Sequence, residues 1–436
     1  MKKINIYLLA LVALVATSCT KAFDNLSDAT EVTPISMKFN LNIEVFDGLD
    51  FELEDVVKYD MTLKLVNYDE NLIYVFPVNA SSLSRGSKTF TIEATGLVPG
   101  IYTATLSGKG FTTDIASTGY LMSGSLVNQP METNGTSFDI NVKIGGIKGD
   151  IIFKELYFCG VPSYYFRDQC YELYNNSNKT VYLDGLHIAN LAPSTATTSL
   201  PTWGNENGEQ DENDKFVYGE RVWKFPGNGT DYPLQPGESI IVAQHARNHQ
   251  EANAASPVDL SGAEFEFYMG STTYADMPAV NMDHVFYQGK ADIGTVPQWL
   301  VSVFGGAYII FKVPEGETWD PVTTDYSIQL GKSSTTRYAK IPVEYVWDAV
   351  ELGNNESMVN AKRVPGLLDA GMSWVGNIYC GMSVARHIEE GVTLDNGSYI
   401  YVDTNNSTDD FERGLTPELK MRRNGAKVPS WNTWYN

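Results

Sequence analysis

From Met37 to Val45 apolar and polar side chains alternate without a break: Met37, Phe39, Leu41, Ile43 and Val45 against Lys38, Asn40, Asn42 and Glu44. A side-chain period of two belongs to a strand with one buried face, because successive Cβ atoms point to opposite sides of the pleat. A helix would spread the same residues around its circumference. The pattern returns at Met61, Leu63 and Leu65, at Phe90, Ile92 and Ala94, at Tyr102, Ala104 and Leu106, and at Phe138, Ile140, Val142 and Ile144. Breaks rich in Gly and Pro separate the runs, which predicts an antiparallel β-sandwich over 37–147, ending at Gly145-Gly146. With 25 Tyr, 19 Phe and 37 Gly, the composition favours strands and tight turns over long helices, and few helices are expected, with 244–254 the candidate.

After Gly149 a second strand pattern starts with Ile151 to Phe158, which carries Glu155 in its middle. Cys170 to Ile188 reads as strand, Asn-rich turn, strand, turn and strand. The expected fold class is all-β, two tandem antiparallel β-sandwich domains of immunoglobulin-like type. The divisions are a leader at 1–18, an aperiodic tether at 19–36, sandwiches at 37–147 and 150–412, and a short polar tail at 413–436.

The first residues carry two lysines, an apolar run from Ile6 to Ala16, small residues and Cys19, the order of a secretory signal. The run is shorter than the roughly 20 residues a bilayer span needs. Cys19, placed straight after Ala16-Thr17-Ser18, resembles the lipobox of bacterial lipoproteins, whose cysteine is acylated and becomes the mature N-terminus. The resemblance implies a chain tethered to a membrane through lipid on Cys19. The formal charge is −22 and grows more negative once Lys2 and Lys3 leave with the leader, which argues against nucleic acid as a partner.

Cys159 and Cys170 flank a short loop between two expected strands and form the candidate disulfide, while a pairing of either with Cys380 stays open. No cofactor is expected, with calcium as the one candidate. The loop Trp203 to Lys215 is rich in carboxylates and amides, and Asp211, Asn213 and Asp214 are its candidate calcium ligands, although the spacing is not that of an EF-hand. His245 and His249 stand four apart, which on a helix would place both on one face as transition-metal ligands. The Glu of a zinc-protease helix is missing after His245, and no nucleophile elbow, P-loop or dinucleotide fingerprint is present. No residue is expected to be catalytic.

The segment Gly96-Leu97-Val98-Pro99-Gly100-Ile101-Tyr102 resembles the turn of transthyretin-like and carboxypeptidase-regulatory-like sandwiches, in which the Pro-Gly pair turns the chain and the Tyr enters the next strand's core. Such domains serve as stalks. The later fragments, taken in order, resemble the lamin-tail domain, an immunoglobulin-like β-sandwich of exported bacterial proteins. Its pattern has an acidic residue in the first strand, a Glu-Leu/Ile-Tyr-Asn-x-Ser turn, a Leu-x-Pro-Gly-Glu lead into an apolar strand, and a late Asp-x-Asn-Asn before Asp-Phe. Glu155, Glu172, Tyr174, Asn175, Ser177, Gly185, Pro236, Gly237, Asp403, Asn405, Asn406, Asp410 and Phe411 stand at the matching positions. The chain is much longer than that domain, so 190–233 and about 244–395 read as insertions. The whole is similar to Bacteroidota-type surface lipoproteins encoded near outer-membrane transporters.

These readings lead to a non-catalytic outer-membrane lipoprotein, exposed at the cell surface, that binds a ligand or serves a TonB-dependent nutrient transporter. The alternatives are an adhesin or structural envelope component, and a hydrolase with its active site in the insertions. Trp203, Trp223, Trp299, Trp319, Trp347 and Trp374 fall in those insertions, where they serve either a binding surface or, the favoured reading, a second core.

Overall fold

The alternation at Met37 is built as β1, Ile35–Val45, with Met37, Phe39 and Leu41 fully buried. It joins β2 (Val56–Asn67), β3 (Leu72–Asn79), β4 (Thr89–Leu97), β5 (Gly100–Thr112), β6 (Tyr120–Met131) and β7 (Ser137–Ile144). Together they make one seven-stranded sheet in the order β3-β2-β5-β6-β7-β1-β4, whose edge strands β3 and β4 come into contact. The inward residues, among them Phe39, Leu63, Tyr102 and Ile140, form a single core. The expectation of a wholly antiparallel arrangement is corrected at one pair: β1 and β7 run parallel, with Phe39 opposite Phe138 and Ile43 opposite Val142. Alternation fixes which face of a strand is buried and leaves the direction of its neighbour free.

A larger region follows. The computed structural model describes residues 32–46, 51–79, 88–113, 119–145, 149–197, 199–268, 270, 274–290, 301–356 and 362–433, so the leader, Cys19 and most of the expected tether lie outside the described residues. Strands β8 (Ile151–Tyr157) and β9 (Cys170–Asn175) sit at the centre of a second sheet. Ser239–Ala243 lies beyond β9, and Ser383–Arg386 followed by Phe411–Leu415 lies beyond β8. A third sheet is built around Phe216–Lys224, His187–Leu191, Ala307–Phe311 and Val346–Gly353. Phe153 and Leu156 of the second sheet share a core with Ile188, Trp223, Ile310 and Val350 of the third. Strands dominate the described residues throughout.

The segments read as insertions supply the centre of the third sheet: Ala307–Phe311 is buried at every residue, so it shows no alternation to mark it as a strand. Two expectations are corrected here. The expected helix at 244–254 is a single 3-10 turn, His249–Glu251. The polar tail is structural, because Phe411–Leu415 is a strand of the second sheet and Leu419 and Arg422 are buried.

Candidate functional site

A cleft of about 480 Å³ opens where the β1–β7 sheet meets the third sheet. Several stretches of chain build it. Ser125, Val127 and Asn141 come from β6 and β7, Trp203, 210–214, Phe216 and Tyr218 from the acidic loop and the strand after it, and 362–366 from the segment following Val346–Gly353. A smaller cavity of about 310 Å³ shares Asn141, Glu212, Asn213 and Asp214 with it and continues toward Asn42, Glu44 and Lys143. The acidic loop therefore roofs a groove running along the junction.

The loop is held by its own amides. Asn205 Oδ1 accepts from the backbone nitrogens of Asn207 (3.0 Å) and Glu209 (3.1 Å), and its Nδ2 donates to Glu209 at 2.6 Å. Gly208, at φ +85°, supplies the left-handed position this turn needs. Trp203 stacks on Tyr218 with centroids 4.4 Å apart and meets Tyr338 edge-on. Phe216 and Tyr218, two apart on one strand, share a face, and Lys340 lies 4.0 Å from the Phe216 ring centre. Burial, with the Asp211 charge beside it, raises the Tyr218 hydroxyl well above its ordinary pKa, so it remains a neutral donor.

The candidate calcium ligands Asp211, Asn213 and Asp214 all line the cleft, but Asp211 is already engaged. Asp211 Oδ1 pairs with Lys340 at 2.5 Å, while Oδ2 accepts from Ser327 (2.5 Å) and Tyr218 (3.1 Å), so both oxygens are engaged. Asn213 and Asp214 are exposed and face the cleft with Glu212. Among the described residues no three His, Cys, Asp or Glu side chains converge as a metal cage. The cations of the cleft are likewise occupied. Arg363 donates to Glu351 at 2.8 Å, and Lys362 donates to the Gly371 carbonyl and lies 3.9 Å from Asp369. What stays open to a ligand is an acidic and amide-lined rim over aromatic walls.

The histidine pair is corrected in the same way. His249 Nε2 donates to the His245 carbonyl at 2.8 Å and Nδ1 accepts from the Tyr165 hydroxyl at 2.7 Å, which leaves neither nitrogen for a metal. Burial drives His249 down to about 4 and lowers His245. The absent helix removes the shared face that the spacing had implied.

The Cys159–Cys170 bridge is not formed. Tyr157 is the residue opposite Cys170, and the chain leaves β8 before Cys159, whose sulfur lies 3.5 Å from that of Cys380.

Glu155 and Glu172 do face each other across β8 and β9. A one-residue register shift after Phe153 lets Lys154 reach Glu172 at 2.8 Å, while Ser383 and Ser239 donate to Glu155 and Glu172, each at 2.6 Å. Glu155, Glu172, Lys154, Ser239 and Ser383 are all sealed from solvent, which suits structure and denies a substrate access. A second buried network surrounds Arg386, which contacts Asp348 (2.8 Å), Asp410 (3.2 Å) and Asp403 (3.3 Å). Burial pushes Asp348 and Asp410 up to about 7 against the pull of that guanidinium. Sequence reading missed Arg386, Arg363 and Gly366; a lone buried arginine beyond an apolar run has no periodic signature.

A family model described as "Protein of unknown function (DUF4876)" matches residues 235–418. The crystal structure of a DUF4876 family protein from Bacteroides thetaiotaomicron is 48% identical, with a TM-score of 0.62, over 91% of this chain and 99% of that one. An adhesin candidate from Bacteroides ovatus aligns at 12% identity and a TM-score of 0.16, covering 36% of this chain and 54% of that one. A leucine-rich repeat protein from Bacteroides thetaiotaomicron aligns at 11% identity and a TM-score of 0.16, covering 47% and 24%. No curated protein matches the chain.

Proposed function

This chain belongs to the DUF4876 family, and from that premise we propose that it is a non-catalytic, lipid-anchored outer-membrane protein. In this reading it takes a small polar ligand in the junction cleft and serves a TonB-dependent nutrient transporter. The cleft is the observation that carries the proposal. It is concave, aromatic-walled and lined by Glu212, Asn213 and Asp214, the mixture that orients a polyhydroxylated or cationic ligand. The buried Glu155, Glu172, Glu264, Asp348 and Asp410 are held by serine, lysine and arginine partners and are closed to a substrate.

The lipid on Cys19 and the kinship of the two units to stalk and lamin-tail sandwiches belong to the same proposal. The first kinship is supported by Tyr102, whose hydroxyl donates to the Val98 carbonyl at 2.6 Å and pins the Pro99-Gly100 turn. The second is supported by the Asp403 to Phe411 stretch, which folds back onto Arg386.

The test is calorimetric titration of protein lacking residues 1–19 with soluble oligosaccharides, short peptides and divalent cations. A Glu212→Lys, Asp214→Lys double variant should weaken the binding that the wild type shows by about tenfold or more, with an unchanged melting temperature, since both residues are exposed. Binding that ignores the double variant, or chemical turnover of any probe, would contradict the proposal.

A further inference from the structure

Cys159 and Cys380 lie at the end of a ladder. Ser383–Arg386 pairs antiparallel with β8, Val384 opposite Leu156, and counting outward from that pair brings Cys159 beside the 380–381 peptide. The backbone is pinned on both sides of the two sulfurs: Tyr379 N donates to Cys159 O at 2.8 Å, and Gly381 N to Gly160 O at 2.9 Å. Gly160 and Gly381 hold φ of +65° and +69°, the tight turns that bring the strand ends together. Within this frame the sulfurs are 3.5 Å apart, with Cys159 buried and Cys380 half-buried. Cys170 is fully buried on β9, opposite Tyr157.

We propose that Cys159 and Cys380 form a disulfide when the chain meets an exchangeable disulfide oxidant. The sulfurs need to approach by about 1.5 Å to reach a bond length of roughly 2.05 Å, and the backbone on both sides is already held. Cys380 is the more accessible, and the Cys159 thiol donating to it pulls it down to about 6, so it is the attacking thiolate. Its sulfur bonds to one sulfur of the oxidant's disulfide, and the other leaves as a thiolate and takes a proton. Cys159 then loses its proton to solvent and displaces the second thiol. The protein gives up two electrons and two protons, and the oxidant departs as two thiols.

The bridge fixes the base of an exposed aromatic pair. Tyr164, 79% exposed, meets Tyr379 edge-on at 5.3 Å, and both hold positive φ, as does Ser163. Tyr379 adjoins one bridging cysteine, and the Val161–Tyr165 loop follows the other.

Protein secreted by an exporting bacterium, then incubated with oxidised glutathione, is alkylated under denaturing, non-reducing conditions and mapped by mass spectrometry. The expected product is a peptide pair joined at Cys159 and Cys380, with Cys170 alkylated. Alkylation of both Cys159 and Cys380, or a cross-link through Cys170, would overturn the proposal. As a second readout, reduction should lower the wild-type melting temperature by about 5 °C or more and leave that of Cys380→Ser unmoved. An equal response of both proteins would also overturn it.

Discussion

His249 shows how much a single side chain's surroundings decide. It is fully buried, and its two hydrogen bonds require the neutral ring, with the proton on Nε2. Its pKa falls from about 6.5 in the unfolded chain to about 4 in the fold. Between those values the unfolded chain binds more protons, so this stabilisation is complete above pH 6.5 and is lost as pH falls toward 4. Asp348 and Asp410, raised to about 7, act oppositely across much of the same window, because there the folded chain holds the extra protons. A comparison isolates the histidine. Between pH 6.5 and 4.5 the wild type should lose roughly 1–3 kcal/mol relative to His249→Gln in urea unfolding. Parallel stability curves for the two proteins would refute the assignment. The spacing of His245 and His249 was legible in the sequence; that both His249 nitrogens are taken depends on Tyr165, which is 84 residues distant.

At the scale of elements, the segment after Phe411–Leu415 acts as a strap over the second sheet. Arg422 pairs with Glu264 and donates to the Ser239 carbonyl, Asn432 donates to Glu264 at 2.6 Å, and Trp431 donates to the Pro233 carbonyl at 2.8 Å. Glu264 is sealed from solvent, and burial raises its pKa despite the adjacent guanidinium. Removing one partner of a buried pair leaves an uncompensated charge, so Arg422→Ala should cost about 3–5 kcal/mol in urea unfolding. Exposed Glu418→Ala should stay within about 0.5 kcal/mol. A loss below about 1 kcal/mol for Arg422→Ala would remove the strap's role. This element read as a polar tail because its buried residues, among them Leu419, Arg422 and Asn432, are few and follow no period, and composition alone cannot distinguish a paired buried arginine from a solvated one. In the first sheet β1, β2, β4, β5 and β7 were legible from alternation, whereas β3 and β6 went unread. Val346–Gly353 is almost wholly buried, so its periodicity vanishes while its apolar content persists.

For the whole molecule, the junction is what unites the first sheet and the cleft. Phe46 packs with Val364, Leu367 and Leu368, and Ser123 donates to the Leu367 carbonyl at 2.8 Å. Gly366 passes so close to β6 that a Cβ there would collide with the Ser125 backbone nitrogen. Only the acidic part of the cleft could be seen in the sequence, since its stretches come from residues far apart and share no motif. The central claim is that this fold works as a lipid-held partner of an outer-membrane transporter. Acyl chains contribute about 0.8 kcal/mol per buried CH₂, so anchoring should rest on Cys19 and on no strand of the fold. The most direct measurement is co-purification of the full-length chain from detergent-solubilised outer membranes, wild type beside Cys19→Ala. The account predicts that the wild type is recovered with a TonB-dependent barrel, while Cys19→Ala is folded, soluble and free of it. Wild type recovered without any barrel, or Cys19→Ala equally membrane-bound, would contradict it.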